Sequence, residues 1–262
     1  MLSYQHSFHA GNLADVQKHA ILAFVLDYLT QKDKPVSYIE SHAGRGLYDL
    51  TDEDAQKTGE AAQGILKVSN WFDRKNPYLR ALAASRDTHG ETAYPGSPLI
   101  AQALLRPTDS LHLAELHPGE NKALGRVAWA RNTKIYEQDG IELALSLAPP
   151  TPRRGVLLID PSWEIKTDYK VIPAAIHNVT RKWNVGIVML WYPILTDNRH
   201  GEMMQGLRDA YPDALNHEVK FPPAREGHGM IGSGMFVINP PWGLAEFTNT
   251  LSKRFSKLAA RR

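Results

Sequence analysis

Residues 155–163 constrain the fold of this chain more than any other stretch. They contain an uninterrupted apolar run that ends abruptly at Asp160, Pro161, Ser162 and Trp163. An apolar run without polar alternation is typical of a strand that is buried on both faces of a parallel sheet. In an open α/β sheet, ligands bind beyond the carboxyl ends of the strands. The sequence therefore predicts a parallel sheet that presents the Asp160 carboxylate to a ligand.

The same four residues resemble a catalytic motif. Asp-Pro-Ser-Trp is similar to the Asp/Asn-Pro-Pro-aromatic motif of the amino-methyltransferases, which use S-adenosylmethionine to methylate an exocyclic or amide nitrogen. The lone pair of such a nitrogen is delocalised. The Asp160 carboxylate and the Pro161 carbonyl would accept its N–H bonds and aim the lone pair at the methyl group. Trp163 would stack on a base turned out of its helix. Ser162 replaces the second proline of the motif. An ordinary strand end followed by a helix cap would use the same residue types without any catalytic role.

Further segments are predicted to be strands that alternate with helices. The predicted strands are residues 36–40, 111–115, 133–136, 184–192, 217–221 and 234–239, and the clearest helices are residues 13–31, 99–105 and 242–258. Alternation of strands and helices indicates an α/β fold with a doubly wound sheet.

The residues at the strand ends resemble the layout of a class I methyltransferase. A glycine-rich turn, residues 41–46, follows the first strand, Glu115 ends the second, Asp139 follows the third and Asp160 ends the fourth. In that class, the acid after strand two accepts the ribose hydroxyls of the cofactor and the acid after strand three meets its adenine amine. Glu115 and Asp139 suit those roles because carboxylates accept what hydroxyls and amines donate. The predicted fold class is therefore a Rossmann-like class I methyltransferase sheet.

Residues 50–90 interrupt this pattern with a polar, alanine-rich sequence of helical periodicity. Helices are predicted at residues 61–72 and 79–85. A crossover between parallel strands needs far fewer residues than this. The segment is therefore predicted to be an inserted small helical subdomain, with the methyltransferase domain formed by residues 1–49 and 91–262.

Some polar residues have ordinary structural roles when each is considered singly. Ser97 is a suitable N-cap for the helix that follows, with Pro98 at the first helical position. On its own, Lys18 is expected to be solvated and His19 to lie at the edge of the core.

A second segment, residues 239–242, matches the amino-methyltransferase motif more closely because it reads Asn-Pro-Pro-Trp. Only a final helix follows it, whereas a catalytic motif on the fourth strand needs further strands to complete the sheet. Two prolines at the start of a helix account for the segment without a catalytic role. We therefore assign the catalytic position to Asp160 rather than to Asn239.

The composition excludes several classes of protein. The chain of 262 residues contains no cysteine, which excludes disulfides, thiolate nucleophiles and cysteine-ligated metal sites. No apolar run approaches the length of a membrane span and no signal peptide is visible, so a cytoplasmic protein without membrane contact is expected.

The formal net charge of +2 does not by itself indicate a nucleic-acid partner. RNA binding would have to rest on local basic patches. The candidates are Arg153 with Arg154, the loop 220–228 with Lys220, Arg225 and His228, and the C-terminal residues Lys253, Arg254, Lys257, Arg261 and Arg262.

The N-terminal residues carry the most specific resemblance. Residues 4–12, which read Tyr-Gln-His-Ser-Phe-His-Ala-Gly-Asn and are followed by Asp15, Lys18 and His19, are similar to the N-terminal signature of the bacterial 23S rRNA adenine-N6 methyltransferase J family, RlmJ. The other segments that resemble this family are residues 42–44, 94–100, 115–118, 166–169, 191–193 and 233–242. Where this family has Asp-Pro-Pro-Tyr, residues 160–163 of this chain read Asp-Pro-Ser-Trp. The resemblance covers nearly the whole chain, but it assigns no role to residues 50–90.

The resemblance implies an enzyme that transfers a methyl group from S-adenosylmethionine to N6 of one adenine in domain V of 23S rRNA. It also implies that the product is S-adenosylhomocysteine, that no metal takes part, and that the enzyme acts as a monomer on protein-free RNA. The residues implied to contact the cofactor are His19, His42, Ser97, Glu115, Asp139, Gly140 and Asp160. Asp160 is the implied catalytic acceptor, and Tyr4 would contact the target adenine. His6 and Lys18 are implied near the same face, one as a donor to RNA and the other as a phosphate partner.

Two alternatives remain open. An amino-methyltransferase that acts on DNA adenine or on a protein glutamine would use the same Asp-Pro-Ser-Trp turn. An RNA-binding protein with an inactive methyltransferase core would keep the fold without the reaction.

Overall fold

The computed structural model describes residues 6–222 and 229–259. Its strands are β1 (Ser37–Glu40), β2 (Leu47–Asp49), β3 (Ala93–Pro95), β4 (Ser110–Ala114), β5 (Thr133–Tyr136), β6 (Gly155–Ile159), β7 (Ile187–Leu195), β8 (Leu215–Lys220) and β9 (Met230–Ile238). Its α-helices are α1 (Leu13–Thr30), α2 (Glu53–Thr58), α3 (Glu60–Gln63), α4 (Ile65–Val68), α5 (Pro77–His89), α6 (Ser97–Leu104), α7 (Pro118–Leu124), α8 (Gly140–Leu147), α9 (Asp168–Lys182), α10 (Gly201–Ala210) and α11 (Leu244–Ala259). Short 3-10 helices occupy His6–Phe8 and Ser69–Trp71. Within the described ranges, no helix has the length and apolar character that crossing a membrane requires.

The main sheet has the strand order β5-β4-β1-β6-β7-β9-β8. Every neighbouring pair is parallel except β7 with β9 and β8 with β9, so β9 alone runs against the others. The winding direction changes between β1 and β6, and open sheets bind ligands beyond the carboxyl ends of strands at such a point. The predicted fold class, a doubly wound Rossmann-like class I methyltransferase sheet, is confirmed.

Strand β6 is buried on both faces, as its apolar run predicts. Val156 and Leu158 pack in a cluster that includes α1 and α11, whereas Leu157 and Ile159 pack in a second cluster with α9 and α10. Alternate side chains of a strand point to opposite faces, so one run of apolar residues joins two helical layers. The first charged side chain after this run is Asp160, where the strand ends.

The residues between β2 and β3 are helical, but they do not form the long helix predicted for residues 61–72. That stretch divides into α3, α4 and a 3-10 turn, with an interruption at Gly64. A Cβ atom on Gly64 would lie 2.0 Å from the carbonyl oxygen of Gly11. The interruption is therefore set by a close approach to a distant part of the chain, which no local periodicity contains.

The helical insertion shares its core with the rest of the molecule. Ala61, Ile65, Val68 and Phe72 belong to the same buried cluster as α1 and the sheet, and α5 packs on α1 and α6. Strands β2 and β3 pair antiparallel at the two ends of the segment. The division into a methyltransferase domain and a subdomain at residues 50–90 stays a prediction.

The start of α6 differs from the prediction for Ser97. Gly96 is the N-cap, and Ser97 is the first helical residue. Its hydroxyl donates instead to the buried Glu40 carboxylate at the end of β1. The predicted N-cap role was wrong because a long-range partner takes the hydroxyl.

Candidate active site

A cavity of about 410 Å³ lies above the carboxyl ends of β1, β6 and β7. The sequence-predicted site residues that line it are His6, Lys18, His19, His42, Ser97, Glu115, Asp160, Pro161 and Trp163. Because parallel strands end at one edge of the sheet, residues far apart in the sequence meet there. Tyr4 lies outside the described residues.

The Asp160 carboxylate is paired with a buried lysine. Lys18 of α1 places its Nζ 2.6 Å from Asp160 Oδ2 and 3.1 Å from Asp15 Oδ1. Lys18 is only 4% exposed, so the expectation that it is solvated was wrong. Burial alone would lower the pKa of Lys18, but the neighbouring charges of Asp160 and Asp15 outweigh it and raise that pKa. The ammonium therefore stays charged and holds the Asp160 turn against α1.

Asp15 links Lys18 to the N-terminal residues. Its Oδ2 accepts the Gly11 backbone N–H at 2.9 Å and lies 3.0 Å from His6 Nε2. Burial raises the pKa of Asp15, yet the charges of His6 and Lys18 hold it well below its usual range. The side chains of His6, Asp15, Lys18 and Asp160 thus form one continuous polar chain along the cavity wall.

Glu115 joins two turns at the other side of the cavity. Its Oε2 accepts the Gly44 N–H at 2.8 Å, and its Oε1 accepts the His117 N–H at 2.7 Å. Burial raises the pKa of Glu115, although these backbone donors oppose the shift. A carboxylate has about four acceptor positions. Both oxygens therefore retain lone pairs that suit the hydroxyls of a ribose.

His19 is a buried imidazole in the cavity wall rather than a residue at the edge of the core. Its Nδ1 lies 2.9 Å from the Tyr94 hydroxyl, which contacts the Tyr78 hydroxyl at 3.0 Å. Burial lowers the pKa of His19 to about 3, so the ring is neutral. Its Nε2 has no hydrogen-bond partner within the described ranges; the Asp15 Oδ1 atom, at 3.8 Å, is too distant. A buried ring nitrogen of this kind is a group that a bound ligand would satisfy.

The other predicted cofactor residues differ in their access to the cavity. His42 lines it, with Nδ1 2.7 Å from the Ser41 hydroxyl, and burial lowers the pKa of this histidine. Asp139 and Gly140 do not line it. Asp139 caps α8 by accepting two backbone N–H groups of that helix. A Cβ atom on Gly140 would lie 1.8 Å from the Ser41 carbonyl oxygen, so glycine is needed for α8 to approach β1.

Glu40 is a buried acid that the sequence analysis did not single out. It accepts hydrogen bonds from the Tyr38 hydroxyl at 2.7 Å and from Ser97. Burial raises the pKa of Glu40 to about 8, against the opposing effect of these donors. The folded state therefore favours the protonated form of Glu40. The stability that this protonated form contributes is present at low pH and is lost as the pH rises through about 8. The sequence did contain a signal that could have identified Glu40, because it is an acid that ends a buried strand just before a glycine turn.

The turn after β6 holds Trp163 in an uncommon backbone conformation. Its φ is 58°, in the left-handed region that bulky residues avoid at a cost of about 1–3 kcal/mol. Trp163 is 4% exposed, and its ring packs against Tyr169 with 4.6 Å between the centroids and the ring planes tilted by 41°. Its N–H donates to the Trp191 carbonyl at 3.2 Å. Pro161 and Trp163 thus form a packed wall beside Asp160. Strain of this kind is found mainly where function requires it.

Residues 239–242 lie at the opposite edge of the sheet. Because β9 runs antiparallel to β7, Asn239 comes beside the start of β7. Its side-chain amide donates to the carbonyls of Asn184 and Gly186 at 2.9 and 2.8 Å. Asp160 and Asn239 therefore lie at opposite ends of the strands. Although residues 239–242 match the motif more closely, they lie at the end of the sheet away from the cavity.

The candidate RNA-binding patches also differ in position. Arg153 and Arg154 precede β6 and so lie at the edge opposite the cavity. Lys220 ends β8, and Phe221 and Pro222 after it line the cavity. The candidates that lie outside the described residues are Arg225, His228, Arg261 and Arg262.

A doubly wound sheet with a cavity at its switch point and an Asp-Pro-Ser-Trp turn in the cavity wall defines a Rossmann-like methyltransferase. The model of the family described as "Ribosomal RNA large subunit methyltransferase D, RlmJ" matches residues 33–260. The chain belongs to this family, which confirms the resemblance found in the sequence.

Similar proteins agree with this assignment over nearly the full length. The chain is 39% identical over 265 residues to "Ribosomal RNA large subunit methyltransferase J" of Escherichia coli (strain K12), covering 98% of this chain and 94% of that protein. It is 36% identical over 250 residues to the protein of the same name from Haemophilus influenzae, covering 93% and 89%. The crystal structure of protein LPL1258 from Legionella pneumophila superposes with a TM-score of 0.85 at 34% identity, covering 96% of this chain and 94% of that one.

Proposed function

We propose that this chain uses S-adenosylmethionine to methylate N6 of one adenine in domain V of 23S rRNA. The observation that carries the proposal is the position of Asp160 at the cavity, beside Pro161, at the end of β6. Membership of the family supports the reaction class. The names of the relatives support ribosomal RNA of the large subunit as the substrate.

Asp160 acts as the acceptor for the target amino group. Lys18 donates to Oδ2, which leaves acceptor positions on the carboxylate for one N–H of the amine. The Pro161 carbonyl accepts the other N–H. Both bonds draw the nitrogen lone pair out of conjugation and fix its direction, which is positioning plus electrostatic stabilisation of the charge that develops. When bound, S-adenosylmethionine supplies an electrophilic methyl group on a sulfonium.

The residues around the cavity fit this methyl donor. Glu115 retains acceptor positions for ribose hydroxyls, and the neutral His19 presents an unsatisfied buried Nε2. His42 and Ser97 line the same space. We keep Asp139 and Gly140 as cofactor residues in the proposal, although neither residue lines the cavity. Tyr4 and His6 are proposed to contact the target adenine, and Trp163 is proposed to form one wall of the space that the adenine enters.

The remaining parts of the proposal follow from the substrate. The enzyme would act on protein-free 23S rRNA, as the resemblance to the family implies. It would work as a monomer in the cytoplasm, where the rRNA is made. Lys18 is engaged by two carboxylates, so its predicted phosphate contact would require competition with them.

A transfer assay with labelled S-adenosylmethionine tests this function. The purified chain is incubated separately with protein-free 23S rRNA, assembled large subunits, duplex DNA and total protein. We expect label only in protein-free rRNA, as N6-methyladenosine at one position in domain V. Asp160→Ala should reduce turnover by on the order of 10²-fold or more, because the bonds to the amine disappear. Calorimetry should still detect cofactor binding, since Lys18 loses one partner but keeps its pair with Asp15.

Other outcomes would overturn it. Label in DNA or in protein but not in rRNA would establish the other amino-methyltransferase class. Absence of cofactor binding to the wild-type protein would favour an RNA-binding protein with an inactive core. Near-normal turnover of Asp160→Ala would show that the amine is activated elsewhere.

A further inference from the structure

The helical insertion holds the N-terminal segment, defined as residues 6–12, by direct contacts. Glu60 at the start of α3 binds two of its side chains: Oε1 lies 3.0 Å from His9 Nδ1, and Oε2 accepts the Asn12 side-chain amide at 3.0 Å. The Thr58 hydroxyl donates to the Phe8 carbonyl. These contacts span about fifty positions of sequence, so they specify where the segment lies rather than its local conformation.

The backbones of the two segments also fit closely. The Ile65 N–H donates to the Gly11 carbonyl at 2.8 Å, and only a glycine at position 64 allows this approach. The Ser7 hydroxyl contacts Asp54 Oδ2 at 3.2 Å. The insertion therefore contacts the N-terminal segment at both of its ends.

Glu60 occupies a position from which it can influence the reaction without taking part in it. The residue is 8% exposed and lines the cavity together with Thr58, Gly59 and Gln63. Through Asn12, whose Oδ1 accepts the Asp15 N–H at 2.9 Å, it adjoins the start of α1. From Asp15 the polar chain continues to Lys18 and to the catalytic turn.

We propose that Glu60 is a positioning residue through which the helical insertion sets the placement of the N-terminal segment against the target adenine. This inference rests on the proposed function, because that function assigns the adenine face to the N-terminal residues. The insertion then fixes His6 and its neighbours, while the sheet fixes the cofactor. Misplacement by about 1 Å of groups that hold a substrate can cost on the order of 10²-fold in rate.

The test uses Glu60→Ala, the conservative Glu60→Gln, and Glu53→Gln as a control at an exposed carboxylate on α2. We expect Glu60→Ala to lower kcat/KM for 23S rRNA by on the order of 10- to 100-fold. The KM for S-adenosylmethionine should stay within about twofold, because the cofactor residues are on other elements. Glu60→Gln should recover most of the activity, since its amide oxygen can still accept from Asn12 and its side chain has the length to reach the His9 ring. Glu53→Gln should match the wild type.

Amide hydrogen exchange supplies a readout that does not depend on turnover. The peptide covering residues 6–15 should exchange faster in Glu60→Ala than in the wild type, and peptides of β6 should not change. Unaltered exchange and unaltered kcat/KM in Glu60→Ala would overturn the inference. Parallel loss of cofactor binding and turnover would also overturn it, because Glu60 would then support the fold in general.

The two proposals fail in different ways. If the wild-type protein methylates no rRNA, the proposed function fails, and the inferred role toward the adenine fails with it, whatever the exchange data show. If the wild type methylates rRNA and the Glu60 variants do so equally well, only the positioning role is wrong.

Discussion

At the scale of single residues, the buried ammonium of Lys18 shows how the site is held before any ligand arrives. Its two partners come from one turn earlier in α1 and from the end of β6. Both carboxylates are themselves largely buried, with side-chain exposures of 2% for Asp15 and 14% for Asp160. Removing the lysine would leave the Asp160 carboxylate without its buried partner and Asp15 with only His6 and the Gly11 N–H. A buried charge that loses its partner is costly.

Replacing Lys18 with methionine should therefore lower the free energy of unfolding by about 3–5 kcal/mol. Lys57→Met is the matched control, because Lys57 pairs with Asp54 at the same i,i+3 spacing but is 62% exposed. That change should cost at most about 0.5 kcal/mol. Urea unfolding of both variants measures the difference. Equal effects would mean that the Lys18 pairs are no stronger than surface ion pairs.

Sequence reasoning identified Asp160 but not the role of Lys18, for a physical reason. An acid that directly follows a buried strand is visible in the sequence, because the strand positions it. The burial of Lys18 depends on a carboxylate 142 positions away, and nothing in the periodicity of α1 contains that partner. Glu40 also ends a buried strand and could have been noticed, but its hydrogen bond with Ser97 comes from a separate helix that no local pattern contains.

At the scale of elements, one glycine sets the distance between α8 and β1. The Ser41 carbonyl stands where a Cβ atom on Gly140 would be placed. Any larger residue must push the helix away from the strand or distort the turn between β1 and the cavity. Elsewhere in the fold a glycine has no such neighbour: Gly206, inside α10, has nothing within 4 Å of its Cβ position.

Two glycine-to-alanine changes test this contrast. Gly140→Ala should destabilise the protein by about 1–3 kcal/mol through overpacking. Gly206→Ala should stabilise it by about 0.5–1 kcal/mol, because alanine is the better helix former. Thermal unfolding of the two variants shows whether each change raises or lowers the stability. A stabilising Gly140→Ala would show that α8 can move away from β1 at no cost.

The elements themselves were largely predictable where local signals dominate. The apolar run of β6 and the helix predicted for residues 13–31 correspond to observed elements with boundaries close to those expected. The short pair β2 and β3 was missed because three-residue strands carry no periodicity. The division of residues 61–72 could not be read locally, since it arises from contact with Gly11.

At the scale of the whole molecule, the helical insertion and the sheet share one buried cluster. Tyr78 and Leu82 of α5 belong to the same cluster as Val156 and Leu158 of β6. Elements that belong to one cooperative unit open together, and a shared buried cluster joins the insertion and the sheet into one unit. The insertion is therefore expected to lack an unfolding transition of its own.

Native-state hydrogen exchange in increasing denaturant checks this expectation. The slowest amides of α5 and of β6 should merge into one global opening with the same free energy. Helix α2, in which only Ala55 is buried, should exchange earlier by local fraying and so serves as the internal reference. An α5 that opens at a clearly lower free energy than β6 would instead support an independently folding subdomain.

The hydrogen bonds between Gln17 and His217 have a consequence for synthesis. The Gln17 amide of α1 contacts the ring and the carbonyl of His217 in β8, both at 2.9 Å. A ribosome-bound nascent chain exposes α1 long before β8 has emerged, so this amide can reach its partner only late in translation. The cavity likewise includes Met230 in its wall. Methyl transfer should therefore begin only after most of the polypeptide has left the exit tunnel, however early Asp160 has been made.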